Sequence, residues 1–327
     1  MNRKTFFRPL AILLLAVAPM VTSCSDDDNN TAQNGNSIAD LAASTPELST
    51  LSTALNRAGL TGTLDGEGSF TVFAPTNQAF ENYLQQNEYT SIEQVPVAAL
   101  KELLLNHVVS GTMASSSLQT GYVKTMGKGS ASSTNTLSMF INTSNGVVLN
   151  GGTANGGATV TGADVMASNG VVHVVNSVIG LPTVVNHAIA NPDFSILVQA
   201  LTREDQPDFV GILSGSQNAP FTVFAPTNNA FSSLLQELGL SGLADVPQAT
   251  LENTLKYHVV TGQNVLAASL TDNMSVPTFE GGSFTVNLEG GASITDANGR
   301  VASIVATDVQ ASNGVVHAIN KVILPAM

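Results

Sequence analysis

The stretch FTVFAPTNQAF, Phe70 to Phe80, returns almost unchanged as FTVFAPTNNAF, Phe221 to Phe231. Each copy opens with an apolar run that ends at a proline, and continues with Thr and Asn, residues that favour the start of a helix. The pattern predicts a short buried strand that leads directly into a helix. Its recurrence after 151 residues predicts that one structural unit is present twice.

The repetition extends well beyond this stretch. Three further pairs match in the same order: STPELSTLSTAL (44–55) with ANPDFSILVQAL (190–201), LLLNHVVSG (103–111) with TLKYHVVTG (254–262), and ASNGVVH (167–173) with ASNGVVH (311–317). The offsets differ slightly, so the length differences fall between the matched segments, as is usual for exposed loops. We therefore predict two tandem domains, residues 38–182 and 183–327.

Each unit changes character along its length. Helical spacing of apolar residues dominates the first part, whereas the second part is rich in strand formers separated by Gly, Ser, Thr and Asn. This order predicts an α+β fold with helices first, strands after them, and a closing hairpin. In that hairpin, Asn169 with Gly170 and Asn313 with Gly314 predict two-residue type I′ turns.

The closing hairpin carries His173 in the first unit and His317 in the second. A strand that is apolar on both faces is buried, and a buried imidazole needs a hydrogen-bond partner and prefers to be neutral. We interpret both histidines as structural residues that tie the hairpin to its domain. With the predicted turn, Met166 lies opposite His173 and Asp164 lies diagonal to it, and Asp308 stands beside His317 in the same way.

Metal binding is the alternative role for these histidines. The chain has five histidines, none at the helical i, i+4 spacing, and its only cysteine is Cys24. These numbers predict no metal site. The sequence also lacks the nucleophile-elbow, dinucleotide-binding, phosphate-loop and zinc-protease motifs, so we expect no catalytic residues and no cofactor.

Residues 1–23 predict an export signal, because a basic start is followed by an apolar run, Leu10 to Val17, and then by small residues. The apolar run is too short for a permanent membrane-spanning helix. The segment VTSC, which ends at Cys24, resembles the lipobox of bacterial lipoproteins. The resemblance implies that Cys24 is lipidated; an ordinary signal peptide is the alternative.

Residues 24–37 predict a flexible acidic tether, because they include Asp26, Asp27 and Asp28 and no large apolar side chain. An acidic run after a lipidated cysteine resembles the surface-export signal of some Gram-negative lipoproteins. The resemblance implies a protein held at the outer membrane and the cell surface, with the lipid as its only membrane contact.

Charge narrows the range of partners. Three of the 11 basic residues precede Cys24, which leaves eight basic against 24 acidic residues in the exported chain. Nucleic-acid binding is excluded, because phosphate contacts require clustered Lys and Arg. With no second cysteine for a disulfide, stability must come from core burial, which a 43% hydrophobic chain can supply. We expect a monomer.

The repeated blocks together carry a family resemblance. FTVFAPTNxAF, the helix that ends in His and Val, and NGVVH resemble the signature blocks and central helix of the fasciclin family. The resemblance covers nearly all of the chain after the tether. It implies tandem fasciclin-like domains, each a β-sandwich or wedge with a cluster of helices, in surface proteins that serve adhesion without catalysis.

The resemblance also implies four partner-binding residues. Tyr257 and His258 match a tyrosine-histidine motif implicated in adhesion by animal fasciclin domains, although the first unit has Asn106 in the tyrosine position. Asp164 lies in ADVM, which resembles the family's acidic adhesion motif, and Asp308 is its counterpart in the second unit. The alternative roles are local: a histidine at a helix end can meet free carbonyls, and a strand-end carboxylate can satisfy nearby backbone.

These features predict a lipid-anchored adhesion or interaction module that binds an extracellular protein or glycan. A sugar-stacking site is disfavoured, because the chain has no Trp and four Tyr. The alternative function is a carrier of a small lipophilic ligand in an apolar groove. Met113, Met126 and Met139, which lie between the central helix and the hairpin, are then candidate lining residues or simply core fillers.

Overall fold

A computed structural model describes residues 35–326, in which the two repeats follow one another. The predicted leader, Cys24 and the tether up to residue 34 lie outside the described residues. The prediction that the tether extends to Ser37 is wrong at its last residues. The Ser37 side chain caps the first helix by accepting a hydrogen bond from the Asp40 N–H, and it donates to the Asp65 carboxylate over 2.7 Å.

The first repeat begins with helices and ends with strands. Its α-helices are α1 (Ile38–Ser44), α2 (Ser49–Arg57), α3 (Thr61–Asp65), α4 (Asn77–Gln86) and α5 (Val97–Leu105). Its strands are β1 (Phe70–Pro75), β2 (Val108–Ser110), β3 (Gly121–Lys128), β4 (Thr136–Asn142), β5 (Val148–Leu149), β6 (Ala158–Ala167) and β7 (Gly170–Val175).

The second repeat has the same order of elements. Its α-helices are α6 (Val184–Ala190), α7 (Ser195–Leu201), α8 (Phe209–Ser214), α9 (Asn228–Glu237) and α10 (Gln248–Tyr257). Its strands are β8 (Phe221–Pro226), β9 (Val259–Thr261), β10 (Met274–Pro277), β11 (Ser283–Asn287), β12 (Ser293–Thr295), β13 (Val301–Ala311) and β14 (Gly314–Ile319).

The strands of the first repeat form a closed barrel in chain order, and parallel pairing of β1 with β7 closes it. In the second repeat β8 and β14 pair in parallel in the same way, but the sheet remains open between β9 and β10. In both repeats the helices precede the strands, apart from the early strand of the repeated motif. The predicted α+β fold is therefore confirmed.

The repeated FTVFAPTN motif forms the predicted corner between strand and helix. The side chain of Thr76 accepts a hydrogen bond from the Ala79 N–H over 3.2 Å, and Thr227 caps α9 through the Ala230 N–H over 3.4 Å. The proline at the end of each strand and the capping threonine after it fix this corner locally.

Strand β1 separates two cores, because its side chains alternate between the faces of the sheet. Val72 points towards the helices, where it joins a cluster that includes Leu51, Phe80 and Leu104. Phe73 points into the barrel, in a cluster with Met139, Ile141, Leu149 and Ile179. Each fully buried side chain of this size contributes about 1.5–3 kcal/mol to folding.

The closing hairpin exists, but its predicted turn and register are wrong. Ala167 pairs with Gly170 and Met166 pairs with Val171, so the two turn residues are Ser168 and Asn169. Asn169 has no positive φ, which a type I′ turn would require. The same register recurs in the second repeat, where Ala311 pairs with Gly314.

Candidate functional site

His173 and His317 are fully buried in the closing strand of their repeats. Nδ1 of His173 accepts a hydrogen bond from the Asp164 N–H over 3.2 Å, and Nε2 donates to the Met113 carbonyl over 2.9 Å. In the second repeat, Nδ1 of His317 accepts from the Asp308 N–H and Nε2 donates to the Val265 carbonyl. Both ring nitrogens are thus satisfied by a neutral imidazole that joins the hairpin to a neighbouring loop.

Asp164 and Asp308 lie next to these histidines because of a bulge that the sequence did not predict. The pairing of β6 with β7 shifts between Gly162 and Val165, and Asp164 has a φ of 62°, while Asp308 has a φ of 58°. The histidine receives the backbone N–H that the bulge would otherwise leave unpaired. The aspartates are therefore beside the histidines through main chain rather than through their carboxylates.

The carboxylate of Asp164 is held by Ser115. It accepts hydrogen bonds from the Ser115 N–H, over 2.7 Å, and from the Ser115 hydroxyl. The Ser115 hydroxyl first, and its N–H second, keep the pKa of the Asp164 carboxyl below its ordinary value. In the second repeat the Asp308 carboxylate accepts from the Ala267 N–H over 2.8 Å. Both carboxylates thus accept a hydrogen bond from a nearby backbone N–H, and Asp164 is exposed as well.

Asn169 is used as a clamp instead of a turn former. Its side-chain amide donates to the carbonyls of Leu64, over 2.7 Å, and Gly66, and its oxygen accepts from the Ile38 N–H. Asn313 makes the corresponding three bonds in the second repeat. The following Gly170 is required by close contact, because a Cβ there would lie 2.0 Å from the Phe70 carbonyl oxygen.

Tyr257 and His258 do not form a partner-binding surface, because both are buried and Tyr257 has no exposed area. The Tyr257 hydroxyl donates to the Ser283 carbonyl over 2.6 Å. Nδ1 of His258 donates to the Thr254 carbonyl at the end of α10, and Nε2 accepts from the Ile323 N–H. The interpretation implied by the family motif is therefore corrected: neither side chain is accessible to a partner in this fold.

His107 repeats the arrangement of His258. It donates to the Leu103 carbonyl over 2.8 Å and accepts from the Ile179 N–H over 2.8 Å. Burial lowers the pKa of both His107 and His258 to about 4. They are neutral at physiological pH, and they connect the end of the central helix to the segment that follows the hairpin.

No pattern in the sequence predicts a role for His187, which is buried on α6 of the second repeat where it contacts Tyr122 of the first. Its Nε2 donates to the Gln310 carbonyl over 3.2 Å, and the Tyr122 ring packs edge-on against its imidazole at 5.6 Å. Burial, with the nearby Lys124 charge, lowers the pKa of His187 to about 4. The sequence around His187 does not predict this buried position, because Gln310 and Tyr122, which it contacts, are far away in sequence.

The first repeat covers the end of β13 in the second. Lys124 Nζ donates to the Asp308 carbonyl over 2.7 Å and to the Ser138 hydroxyl over 3.0 Å. The Gln310 N–H donates to the Ser138 hydroxyl over 3.0 Å. The Ser312 carbonyl accepts from the Ala131 N–H, over 2.9 Å, and from the Ser130 hydroxyl. Alternate main-chain groups of β13 are therefore satisfied by residues of the first repeat.

The corresponding part of the first repeat is uncovered. We call residues Asp164–Ser168, with the outward side of their backbone, the β6 edge. Its Val165 is 41% exposed and its Met166 is 63% exposed, whereas their counterparts Val309 and Gln310 are 6% and 1% exposed. The same structural position is therefore an internal interface in one repeat and a bare apolar surface in the other.

The second repeat has an apolar groove with a volume of about 270 Å³. It lies between α9, α10 and the end of the described chain, and its lining includes Phe231, Leu234, Leu238, Val246, Leu251 and Leu324. Thr250 and Asn253 supply polar groups at its wall. Of the predicted lining methionines, Met113 and Met126 line a separate open groove of about 570 Å³ in the first repeat, whereas Met139 is a core filler buried in the barrel.

Two observations concern the described residues only. Among residues 35–326, no three side chains of His, Cys, Asp or Glu stand close enough together to hold a metal ion. In the same part of the chain, no helix has the length and apolar character needed to cross a membrane.

The two repeats are similar to domains of known proteins. The fasciclin domain family model matches residues 46–182 and 192–325. Human periostin is 31% identical over 265 residues, which are 80% of this chain and 29% of periostin. The protein sll1483 of Synechocystis sp. is 36% identical over 145 residues, which are 44% of this chain and 74% of that protein. A solved FAS1 domain pair from the insect cell adhesion molecule Fasciclin I covers 83% of this chain and 92% of its own, at 20% identity and a TM-score of 0.49. The chain thus spans less than a third of the length of periostin.

Proposed function

The chain belongs to the fasciclin domain family, and on this premise we propose that it is a non-catalytic module for adhesion or interaction outside the cell. Adhesion is the function that the resemblance of the repeated blocks to the fasciclin family implies. A binding role agrees with the chemistry of the buried histidines, because burial keeps His107, His187 and His258 neutral and both ring nitrogens of His173 and His317 bond to main-chain groups.

The observation that carries the proposal is the exposure of Val165 and Met166 beside Asp164. Adjacent large apolar side chains that are exposed on a protein surface are a common feature of protein interaction sites. The proposal is supported by the counterpart surface in the second repeat, which is buried against residues of the first repeat. We therefore place the partner, an extracellular protein or glycan, at the β6 edge.

We further propose that Cys24 carries a lipid that anchors the module at the outer membrane, facing the cell exterior. Support comes from the export signal, the lipobox resemblance and the acidic run after Cys24 in the sequence. The described chain begins with Gly35 beside Ser168, so an anchored chain would enter the fold next to the β6 edge.

A whole-cell adhesion assay tests the function. Cells that display the wild-type chain are compared, on surfaces coated with matrix proteins or glycans, with cells that secrete an anchorless form. Wild-type cells should adhere to at least one surface and the anchorless strain should not. The double variant Val165→Ser, Met166→Ser should lose this adhesion, whereas Val301→Ser, at a similarly exposed valine of β13, should retain it. Adhesion that is equal with and without the displayed chain would contradict the proposal.

The apolar groove of the second repeat supports a second candidate, a carrier of a small lipophilic ligand. In the first repeat, Tyr83 occupies the position that corresponds to Leu234. The variant Leu234→Tyr should therefore fill the groove and abolish the fluorescence increase of a bound naphthalene-type probe. Leu288→Tyr, at an exposed leucine outside the groove, is the matched control. No probe fluorescence with the wild-type chain would contradict this candidate.

A further inference from the structure

The β6 edge is an open strand edge from Asp164 to Ala167 as well as an exposed apolar surface. Within residues 35–326, β6 pairs with β5 only at Ala158 and Thr159, so no strand of this region lies beside residues 164–167 on that side. An open edge presents main-chain N–H and C=O groups that can pair with another chain. It is short and bears Met166 and Val165 rather than the lysines or prolines that usually protect such edges.

The second repeat shows which backbone groups the edge presents. Met166 and Gln310 occupy the same register position, opposite the first valine of NGVV in each hairpin. The Gln310 N–H points away from its own hairpin, since it donates to Ser138 of the first repeat. The carbonyls of Asp308 and Ser312 point the same way, to Lys124 and Ala131.

By the same register, the β6 edge presents three outward groups: the Asp164 carbonyl, the Met166 N–H and the Ser168 carbonyl. They belong to alternate residues, so they repeat at roughly 6.6 Å, which is the spacing of alternate residues in an extended strand. The edge already pairs with extended chain at its end, where the Ser168 N–H donates to the Asn36 carbonyl over 2.9 Å. Pro182 occupies the corresponding position beside Ser312 in the second repeat.

We infer that the β6 edge binds an extended polypeptide segment of a partner protein by strand addition, with main-chain hydrogen bonds to Asp164, Met166 and Ser168. This inference rests on the proposed adhesive function and selects protein over glycan as the partner. Side chains at alternate positions of the segment pack on Val165 and Met166 or extend to solvent. The contact made by Lys124 at the covered edge indicates that a basic side chain in the segment donates to the Asp164 carbonyl.

The chain's own tether is the rival occupant, because it leads into Gly35 beside the edge. Its composition argues against it. The tether carries three consecutive aspartates and no large apolar residue, whereas the edge offers apolar side chains and the exposed carboxylate of Asp164. Like charges and the lack of an apolar contact both disfavour this pairing.

The test uses a capped heptapeptide of alternating valine with lysine or threonine, and the same peptide N-methylated at alternate residues, which removes the pairing N–H groups. Binding to the full chain is measured by fluorescence anisotropy and located by amide chemical shifts. We expect the parent peptide to perturb the amide of Met166 and the N-methylated peptide to bind at least tenfold more weakly. Met166→Pro, which removes the outward N–H, should weaken binding at least tenfold, and Met166→Leu should change it less than twofold.

Three results would overturn the inference. The N-methylated peptide could bind within twofold of its parent, the shifts could map to the open side between β9 and β10, or a chain that begins at Gly35 could bind tenfold better than the longer chain. The last result would assign the edge to the tether.

Adhesion that persists in Met166→Pro while peptide binding is lost would refute the edge as the adhesive site but leave the adhesive function intact. Peptide binding without any cell adhesion would refute the adhesive function and leave the β6 edge as a peptide-binding site.

Discussion

The backbone N–H of Asp164 donates to Nδ1 of His173 over 3.2 Å, and Asp308 and His317 repeat the bond over 3.3 Å. The buried histidine thus stabilises a bulge whose aspartate faces the surface. The core residue and the surface residue belong to one arrangement, but they should respond differently to substitution.

Replacement of His173 by alanine should destabilise the first repeat. The Asp164 N–H and the Met113 carbonyl lose their partner, and a cavity opens beside Phe73, whose ring stacks on the imidazole at 5.6 Å. We expect the free energy of unfolding to fall by about 3 kcal/mol in urea titrations followed by circular dichroism. Asp164→Ala, which removes an exposed carboxylate that accepts hydrogen bonds from Ser115, should lower the free energy of unfolding by clearly less than His173→Ala does. A His173→Ala chain of wild-type stability that no longer supports adhesion would assign the histidine to recognition.

Stability should depend on pH through His107, His187 and His258, whose pKa values burial lowers to about 4 from an ordinary value of 6.5. Between these values the unfolded chain binds more protons than the folded chain, so the folded state loses stability as pH falls. The free energy of unfolding should be constant above about pH 6.5 and should decrease towards pH 4, by up to about 1.4 kcal/mol per pH unit for each histidine. Urea titrations at intervals across this range measure the slope. In His258→Gln the slope should be smaller, and an unchanged slope would contradict the assignment.

Replacement of Gly170 by alanine should destabilise the barrel closure. A Cβ at this residue would lie 2.0 Å from the Phe70 carbonyl oxygen, and the φ of 154° is unfavourable for any residue but glycine. We expect a loss of at least about 2 kcal/mol in thermal or urea unfolding. Gly62→Ala is the control, because no atom lies within 4 Å of its added Cβ and the residue is helical. Equal stability of the two variants would show that β1 and β7 can separate at no cost.

Replacement of Lys124 by methionine should loosen the contact between the repeats. Asp308 loses the hydrogen bond to its carbonyl, and Ser138, which also accepts from the Gln310 N–H, loses its second partner. Hydrogen exchange at the Gln310 amide should accelerate about tenfold, which corresponds to about 1.4 kcal/mol of local opening. Lys101→Met, at an exposed lysine of α5, should leave this exchange rate unchanged. Unchanged exchange in Lys124→Met would mean that the interface is held by other contacts.

Replacement of Cys24 by serine should release the protein from the membrane fraction, because the proposed anchor is a lipid and not a helix. Fractionation and labelling with a radioactive fatty acid measure the outcome. Wild-type chain without label, or Cys24→Ser chain that remains membrane-bound, would contradict the anchor.

Local chemistry made the strand-to-helix corner predictable, since Pro75 and Thr76 fix it within a few residues of sequence. The hairpin register was not predictable in the same way. Asn169 followed by Gly170 has the composition of a type I′ turn. The Asn169 amide instead donates hydrogen bonds to the carbonyls of Leu64 and Gly66, about a hundred residues away in sequence. Tertiary hydrogen bonds therefore decided a turn that local propensity predicted differently.

The exposure of the candidate partner-binding residues was predictable only in part. ADVM does place Asp164 at the surface, whereas Tyr257 and His258 are buried by the strands that follow α10. The difference between Met166 and Gln310 was visible in the sequence, and it marks which hairpin is covered. The covering residues Lys124 and Ser138 gave no comparable signal, because the contact depends on how the repeats pack.

The bond between Asn36 and Ser168 has a mechanical consequence. If the chain is held from its N-terminal side and pulled by a partner on β6, force enters and leaves the molecule within one hydrogen bond of the same place. Tension is then carried by the Asn36–Ser168 hydrogen bond and by the hydrogen bond from the Ile38 N–H to Asn169, while the second repeat stays outside the line of load. The force needed to separate the N-terminal segment from β6 should therefore depend on these two hydrogen bonds and not on the stability of the second repeat.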